Sequence, residues 1–367
     1  MASIDAPSDP LLRADQPSGP VDLTVVLCTL NGSRWLPELL GSIAGQTRPP
    51  DELVVFDDAS DDDSVAVVEQ FAATVPFDVR VHVNPVRLGS TRNFAAALAE
   101  SGGRVIALAD QDDVWYSHKL ALLLWEFDRD PTISMVFSDA DLIDGTGRKL
   151  GRRLWDTRLV GRTLRRHAVV PEDLFARRAL TTGCTMAVRR RVIDAALPFP
   201  DLLDDPRAVM RHDRWLSLVA AAVGTVRALP DPLLGFRVHT DQETGVLVGG
   251  QLPRAMWSAA RKVGRSTAAP AEHRIRAAQL ESAAARAELV GDFHEAATLR
   301  DIAHHQNQRA LVGSPGHGPL TVLRSAAHGK YRGDPLSVLA AGADVARSLS
   351  PIHRRAEPGS DDQHDFS

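Results

Sequence analysis

The chain has 367 residues and a formal net charge of −5. That length can bury one large core, or one core with a smaller helical appendage. The near-balanced charge gives no general electrostatic case for nucleic acid as a partner. The two cysteines, Cys28 and Cys184, sit in apolar, strand-like contexts. They read as small buried hydrophobes of a reducing compartment and not as a disulfide pair. Met1 to Pro20 lacks the basic start and apolar centre of a secretory signal. No apolar stretch is long enough to span a bilayer; Leu216 to Val226, a short Ala-rich helix candidate, comes nearest. The expectation is a soluble, cytoplasmic protein, with peripheral contact at the inner face of the plasma membrane left open.

Residues 1–20 are rich in Pro, Ser and Asp and are expected to be disordered. Alternation then begins. Leu23 to Leu30 predicts a strand. Ser33 to Gln46 predicts a helix with Trp35, Leu36, Leu39, Leu40 and Ile43 inward, Pro37 falling in its tolerant first turn. Leu53 to Phe56 predicts a second strand, and Ser60 or Asp61 a cap for a helix bearing Val65, Val68 and Phe71. Val79 to Val83 is the third strand, Ser90 caps the helix Thr91 to Glu100, and Arg104 to Ala109 is the fourth strand. This order argues for a parallel, three-layer α/β sheet. Ile133 to Phe137, Cys184 to Val188, and Val226 to Val238 with its Pro230-Asp231-Pro232 turn predict further strands, some antiparallel.

Arg148 to Arg191 is strongly basic, opposed only by Asp156, Glu172 and Asp173. Such a stretch suits a solvated surface, or anionic lipid head groups or a phosphorylated acceptor. After about Gly250 the character changes to helical spacing over Ala268 to Val312, with another helix at Pro335 to Leu349 and a polar tail from Arg355.

The chemistry-bearing residues fall at strand ends. Thr29, Asn31 and Gly32 follow the first strand, and Asp57-Asp58 the second. Asn84 and then Gly89-Ser90-Thr91-Arg92-Asn93 follow the third, and Asp110 and Asp112 the fourth. A parallel sheet puts all of these on one rim, where open α/β sheets bind ligands. Asp110 and Asp112 are two apart, so in an extended segment they share a face suited to one hard divalent cation. Acidic turns and helix caps are the alternative for each position singly.

The series Thr29-Leu30-Asn31-Gly32, Asp57-Asp58-Ala59-Ser60, Gly89-Ser90-Thr91-Arg92-Asn93-Phe94 and Asp110-Gln111-Asp112-Asp113-Val114-Trp115 resembles glycosyltransferase family 2, most closely its rhamnosyltransferase-like members. The likeness continues in Gly183-Cys184-Thr185-Met186-Ala187, His212-Asp213-Arg214-Trp215 and Phe236-Arg237-Val238-His239. It implies a GT-A fold over residues 21–248, a Rossmann-like mixed α/β sheet flanked by helices, then a C-terminal helical extension over 249–350 and a disordered tail over 351–367. It implies an inverting, metal-dependent transfer of a sugar from a nucleotide diphosphate to the hydroxyl of a glycan or lipid-linked glycan. dTDP-rhamnose is the first expected donor and UDP-sugars the second, in cell-surface polysaccharide or glycolipid synthesis.

By the same resemblance, Asp58 contacts the base, Asp57 supports its loop, and Thr29 and Asn31 lie on the nucleotide side. Arg92 and Arg237 reach towards the diphosphate, with Asn93 in support. Asp112 and His239 hold Mg²⁺ or Mn²⁺, and Asp110 lies nearer the ribose or the metal's water shell. Asp213 is the base for the acceptor, although a helix-start carboxylate is its plain alternative. Gly183, Cys184 and Thr185 form the acceptor-side loop, and Trp115 and Trp215 are either sugar and acceptor walls or core. The chain departs from the family pattern at Thr240-Asp241-Gln242. The residues after Gly250 match nothing in it and are open to three roles: docking on the catalytic domain, a homodimer contact, or a membrane face. Two competing readings remain: a haloacid-dehalogenase-type phosphatase using the Asp-x-Asp pair, and a non-catalytic sugar-nucleotide-binding protein.

Overall fold

A computed structural model of the chain describes residues 22–157, 181–239 and 269–312, together with Val322 and Asp344. The expected disordered ends, the helix at Pro335 to Leu349 apart from Asp344, and Thr240-Asp241-Gln242 lie outside the described residues. The first half follows the predicted alternation: β1 (Leu23–Thr29), α1 (Leu36–Ala44), β2 (Glu52–Asp57), α2 (Ser64–Ala72), β3 (Asp78–Val83), α3 (Ser90–Glu100) and β4 (Val105–Asp110). β1 is buried along its whole length, because parallel neighbours flank it on both sides, β2 from Glu52 and β4 from Val105. In α1 the residues Leu36, Leu39, Leu40 and Ile43 face inward as predicted. Trp35 does not: it is the residue that starts the helix, and its ring lies beside Arg237.

The predicted caps are corrected. Ser90 is the first helical residue of α3 behind Gly89, and Ser60 gives its hydroxyl to Asp57 at 2.5 Å. Asp62 instead accepts the Ser64 N–H at 3.0 Å at the start of α2.

The second half is β5 (Val114–Trp115), α4 (Lys119–Arg129), β6 (Ile133–Ile143), β7 (Lys149–Arg153), β8 (Met186–Arg189), α5 (Arg190–Ala196), α6 (His212–Val223) and β9 (Thr225–Arg237). The sheet runs β3-β2-β1-β4-β8-β6-β9-β5, with β7 paired to β6. β8 is antiparallel to β4 and β6, whereas β9 is parallel to β6. The expected Pro230-Asp231-Pro232 turn is a bulge inside one continuous strand, where the register jumps from Ser138↔Leu229 to Asp139↔Pro232. Prolines lack the N–H a ladder needs, and an irregular register accommodates them. α4 has no counterpart among the predicted elements, although Leu120, Leu123, Leu124 and Phe127 recur at helical spacing and are all buried.

In the basic stretch Arg148 and Lys149 are exposed, whereas the three arginines at its end bond to backbone carbonyls. Arg189 donates to the Ile133 and Phe127 carbonyls, Arg190 to those of Gly103 and Ser101, and Arg191 to those of Pro131 and Thr132. These guanidiniums satisfy the ends of neighbouring elements. Beyond them the predicted helical spacing resolves into a hairpin, α7 (Ala269–Leu289) and α8 (Phe293–Ala310), whose apolar seam includes Leu280, Ala284 and Leu299. α7 also packs on α6. Among the described residues no helix is long and apolar enough to cross a membrane.

Candidate active site

The carboxyl ends of β1, β2 and β4 meet on one rim, joined by side chains from distant parts of the chain. Asn31 and Ala59, directly after β1 and β2, both have left-handed backbones, with φ of 51° and 59°. Asparagine tolerates this, while alanine pays about 1–2 kcal/mol. The two turns interlock: the Asn31 N–H donates to Ser60 Oγ and the Asp61 N–H to Asn31 Oδ1, both at 2.8 Å. Gln111 docks the turn after β4 onto the end of β1. Its Oε1 accepts the Thr29 hydroxyl at 2.7 Å and the Leu30 N–H at 2.8 Å. A Cβ on Gly32 would lie 2.5 Å from that oxygen, so the glycine permits the docking.

Asp58 is buried and spends its carboxylate on protein donors. It accepts the Leu88 N–H at 2.7 Å, the Gly89 N–H at 2.8 Å and Asn84 Nδ2 at 2.9 Å. Asn93 extends this network, accepting from Asn84 and donating to the Phe56 carbonyl. Asp58 therefore fixes the loop that leads into α3.

The run Asp110-Gln111-Asp112-Asp113 leaves β4 and crosses to the far edge of the sheet, where β5 pairs with Leu234 and Gly235 of β9. That pairing brings the end of β9 to the acidic turn. His239 Nε2 lies 2.9 Å from Asp112 Oδ2, so these two expected metal ligands are in direct contact. Arg237 sits beneath them. It donates to the Asp112 carbonyl at 2.7 Å, the Asp144 carbonyl at 3.1 Å and Glu38 at 2.5 Å, while its backbone N–H reaches Asp113 at 3.1 Å. Only 1% exposed, Arg237 is a buried tie between β9, α1 and the acidic turn.

Carboxylates crowd this rim. Burial pushes the Asp110 carboxyl up to about 7, and the Asp112 and Asp213 charges push in the same direction. Asp113 is pushed up well above the carboxylate range by burial, then by Asp112 and Asp110. Next to them lies Lys119, fully buried, its ammonium 3.5 Å from the centre of the Trp115 ring and bonded to the Cys184 carbonyl. Burial lowers its pKa to about 7 while Asp113 and Asp110 oppose the change.

Ligand atoms of Asp110, Asp113 and Cys184 all lie within 4.8 Å of one another. A thiol is a soft ligand and the Lys119 amine stands beside this trio, so it does not suit a hard cation. The oxygen and nitrogen pair of Asp112 and His239 does suit Mg²⁺ or Mn²⁺.

Asp213 stands in the first turn of α6, and its charge acts on Asp110. Its neighbour His212 stacks on Phe94 of α3, ring centres 3.8 Å apart. A Cβ on Gly183 would come within 2.8 Å of that imidazole, which explains the glycine. The structure places the other expected site residues against protein groups. Trp215 is 0% exposed and donates its indole N–H to the Ala196 carbonyl at 3.2 Å, so it is core and no acceptor wall. Gly183, Cys184 and Thr185 are buried beneath the acidic turn and do not form an open acceptor loop. Arg92 donates to Asp204 at 2.5 Å and Asp201 at 3.0 Å, so its guanidinium is already occupied.

Sequence reading missed Gln111, Asp113 and Lys119. For Lys119 a signal existed: it falls on the apolar stripe of α4, four residues before Leu123, where an unpartnered lysine would not be expected. Gln111 and Asp113 carry none, because their partners are 82 and 124 residues away.

Residues 24–195 match Glycosyl transferase family 2. An uncharacterised glycosyltransferase of Nostoc sp. is 26% identical over 225 residues, 59% of this chain and 65% of that protein. A glycosyltransferase assigned to teichuronic acid biosynthesis in Bacillus subtilis, TuaG, is 24% identical over 65% of this chain and 84% of its own length. The dTDP-rhamnosyl transferase RfbG of Shigella flexneri is 28% identical over 26% of this chain and 34% of its own. The chain thus spans less than two thirds of the Nostoc relative. Among solved structures, S. aureus TarS 1-349 superposes with a TM-score of 0.52 at 14% identity, over 89% of each chain. Residues 24–195, which carry the rim of acidic strand ends and the interlocked turns after β1 and β2, therefore match a glycosyltransferase family 2 domain, and the chain has the GT-A fold.

Proposed function

We propose that the protein is an inverting glycosyltransferase that moves a sugar from a nucleotide diphosphate to an acceptor hydroxyl, with a divalent cation at Asp112 and His239. The observation that carries this is the gathering of Asp110, Asp112, His239 and Asp213 at one rim. Like charges held this closely need a cation or protons to be stable.

Asp213 takes the acceptor proton as that oxygen bonds to the anomeric carbon on the face opposite the leaving diphosphate. Mg²⁺ or Mn²⁺ supplies charge neutralisation for the departing nucleoside diphosphate, which then needs no proton. Thr29 and Asn31 shape the nucleotide side. Asp58 reaches the base with lone pairs left over after its three protein donors, and Asp110 faces the ribose or the cation's water shell.

dTDP-rhamnose is the preferred donor, in line with the name of the Shigella relative, with UDP-sugars second. TarS 1-349 has been solved with UDP-GlcNAc. The Bacillus relative's assignment to teichuronic acid supports a glycan or lipid-linked glycan acceptor in cell-surface polysaccharide synthesis, at the cytoplasmic face of the membrane. A thermal-shift screen of nucleotide sugars with Mn²⁺, followed by nucleoside diphosphate release, tests the reading. Stabilisation by a dTDP- or UDP-sugar that EDTA removes is expected. No stabilisation by any nucleotide sugar would sink it.

A further inference from the structure

Helix α6, which presents Asp213, is gripped from behind. Residues 199–210, which lead into it, fold back on themselves: the Leu203 N–H donates to the Pro200 carbonyl at 3.1 Å and the Met210 N–H to the Leu203 carbonyl at 2.8 Å. Gln279 of α7 is 1% exposed, yet its side-chain amide is spent on both limbs of this fold. It donates to the Leu202 carbonyl at 3.1 Å and the Ala208 carbonyl at 2.8 Å. Two turns further along α7, Arg286 donates to the Leu197 and Pro198 carbonyls at 3.2 and 3.1 Å. On the other side Arg92 of α3 bonds Asp201 and Asp204. Trp215, two residues past Asp213, packs edge-on to Phe199.

An apolar side chain at position 279 would fill the same space. A buried amide bonded to two limbs of one loop does more, because directional bonds select a single loop geometry. That geometry matters to a base, which must meet the acceptor proton within hydrogen-bond reach. We propose that Gln279 and Arg286 are positioning residues that set the approach of Asp213 to the acceptor hydroxyl. The hairpin after residue 269 is then a working part of the acceptor half of the site. This rests on Asp213 being the base.

The test uses the full chain with dTDP-rhamnose, Mn²⁺ and water as acceptor, reading dTDP release, together with hydrogen exchange, which needs no substrate. Gln279→Leu and Arg286→Ala should each lower kcat roughly 10- to 100-fold with KM for the donor within about twofold. Arg286→Lys should restore most of the rate, and the exposed control Glu281→Ala should match wild type. Exchange across 199–216 should quicken on the order of tenfold in Gln279→Leu, leaving β1 and β4 unchanged. Unchanged exchange across 199–216, or an equal rise in β1 and β4, overturns the proposal. Asp213→Asn separates the two ideas. If it retains turnover, the base assignment falls and the brace with it; if it loses turnover while the brace variants keep theirs, only the brace is wrong.

Discussion

Asp57-Asp58 and Asp110-Gln111-Asp112-Asp113 both end parallel strands on the same rim, yet their oxygens meet different surroundings. The Asp57 carboxylate holds the Ser60 N–H and hydroxyl, and that of Asp58 holds two backbone N–H groups and an amide. At the second run, Asp112 meets an imidazole, and Asp110 and Asp113 are pushed up by burial and by the Asp112 charge. Hydrogen-bond donors stabilise an ionised carboxylate, whereas neighbouring carboxylates destabilise it. The first cluster thus holds loops in place, whereas the second gathers perturbed groups of the kind found at functional sites.

That contrast can be broken by substitution. The largest effect is expected at Asp213→Asn, which should lower transfer by ~10²–10⁴-fold while nucleotide binding, followed by calorimetry, stays near wild type. Asp112→Asn and His239→Ala should each cost ~10²–10³-fold in turnover, partly recovered by raising Mn²⁺. A loss insensitive to Mn²⁺ would show that the pair does not hold the metal.

Asp58→Ala should act on stability as well as on nucleotide binding. Losing three bonds to a buried carboxylate should cost about 3 kcal/mol in urea unfolding. Unchanged stability would remove the distinction between the clusters. The smallest effect concerns pH in EDTA-treated protein. Asp110 has a folded pKa near 7 against an ordinary carboxylate value near 3.9, so the folded state binds the proton more tightly. The stability this contributes is complete below about pH 4 and is lost as pH rises towards 7. The melting temperature should therefore fall over that window, and Asp110→Asn should flatten the slope. A slope equal to wild type in that variant would place the burden on another group.

The alternation from β1 to β4 was legible because each unit buries its own stripe with local periodicity, as in Leu36, Leu39, Leu40 and Ile43. The second half was less so. β5 is two residues long and exists only because Leu234 and Gly235 offer it a ladder. The bulge at Pro230 to Pro232 is visible only against β6. Arg237 illustrates the limit for the site. A guanidinium near the expected diphosphate suggested a ligand, but the fold closes around it and spends its donors on Glu38, Asp112 and Asp144.

The chain by itself determined the parallel half of the sheet, the acidic strand end and its family likeness, because strand burial and strand-end chemistry are written within a few residues. Tertiary structure alone decided the work of each polar group. Asp113 lies 124 residues from Arg237, and Gln279 lies 71 from Ala208. Whether a carboxylate, guanidinium or indole faces a ligand or a carbonyl depends on which distant backbone the fold brings against it, and no local pattern encodes that.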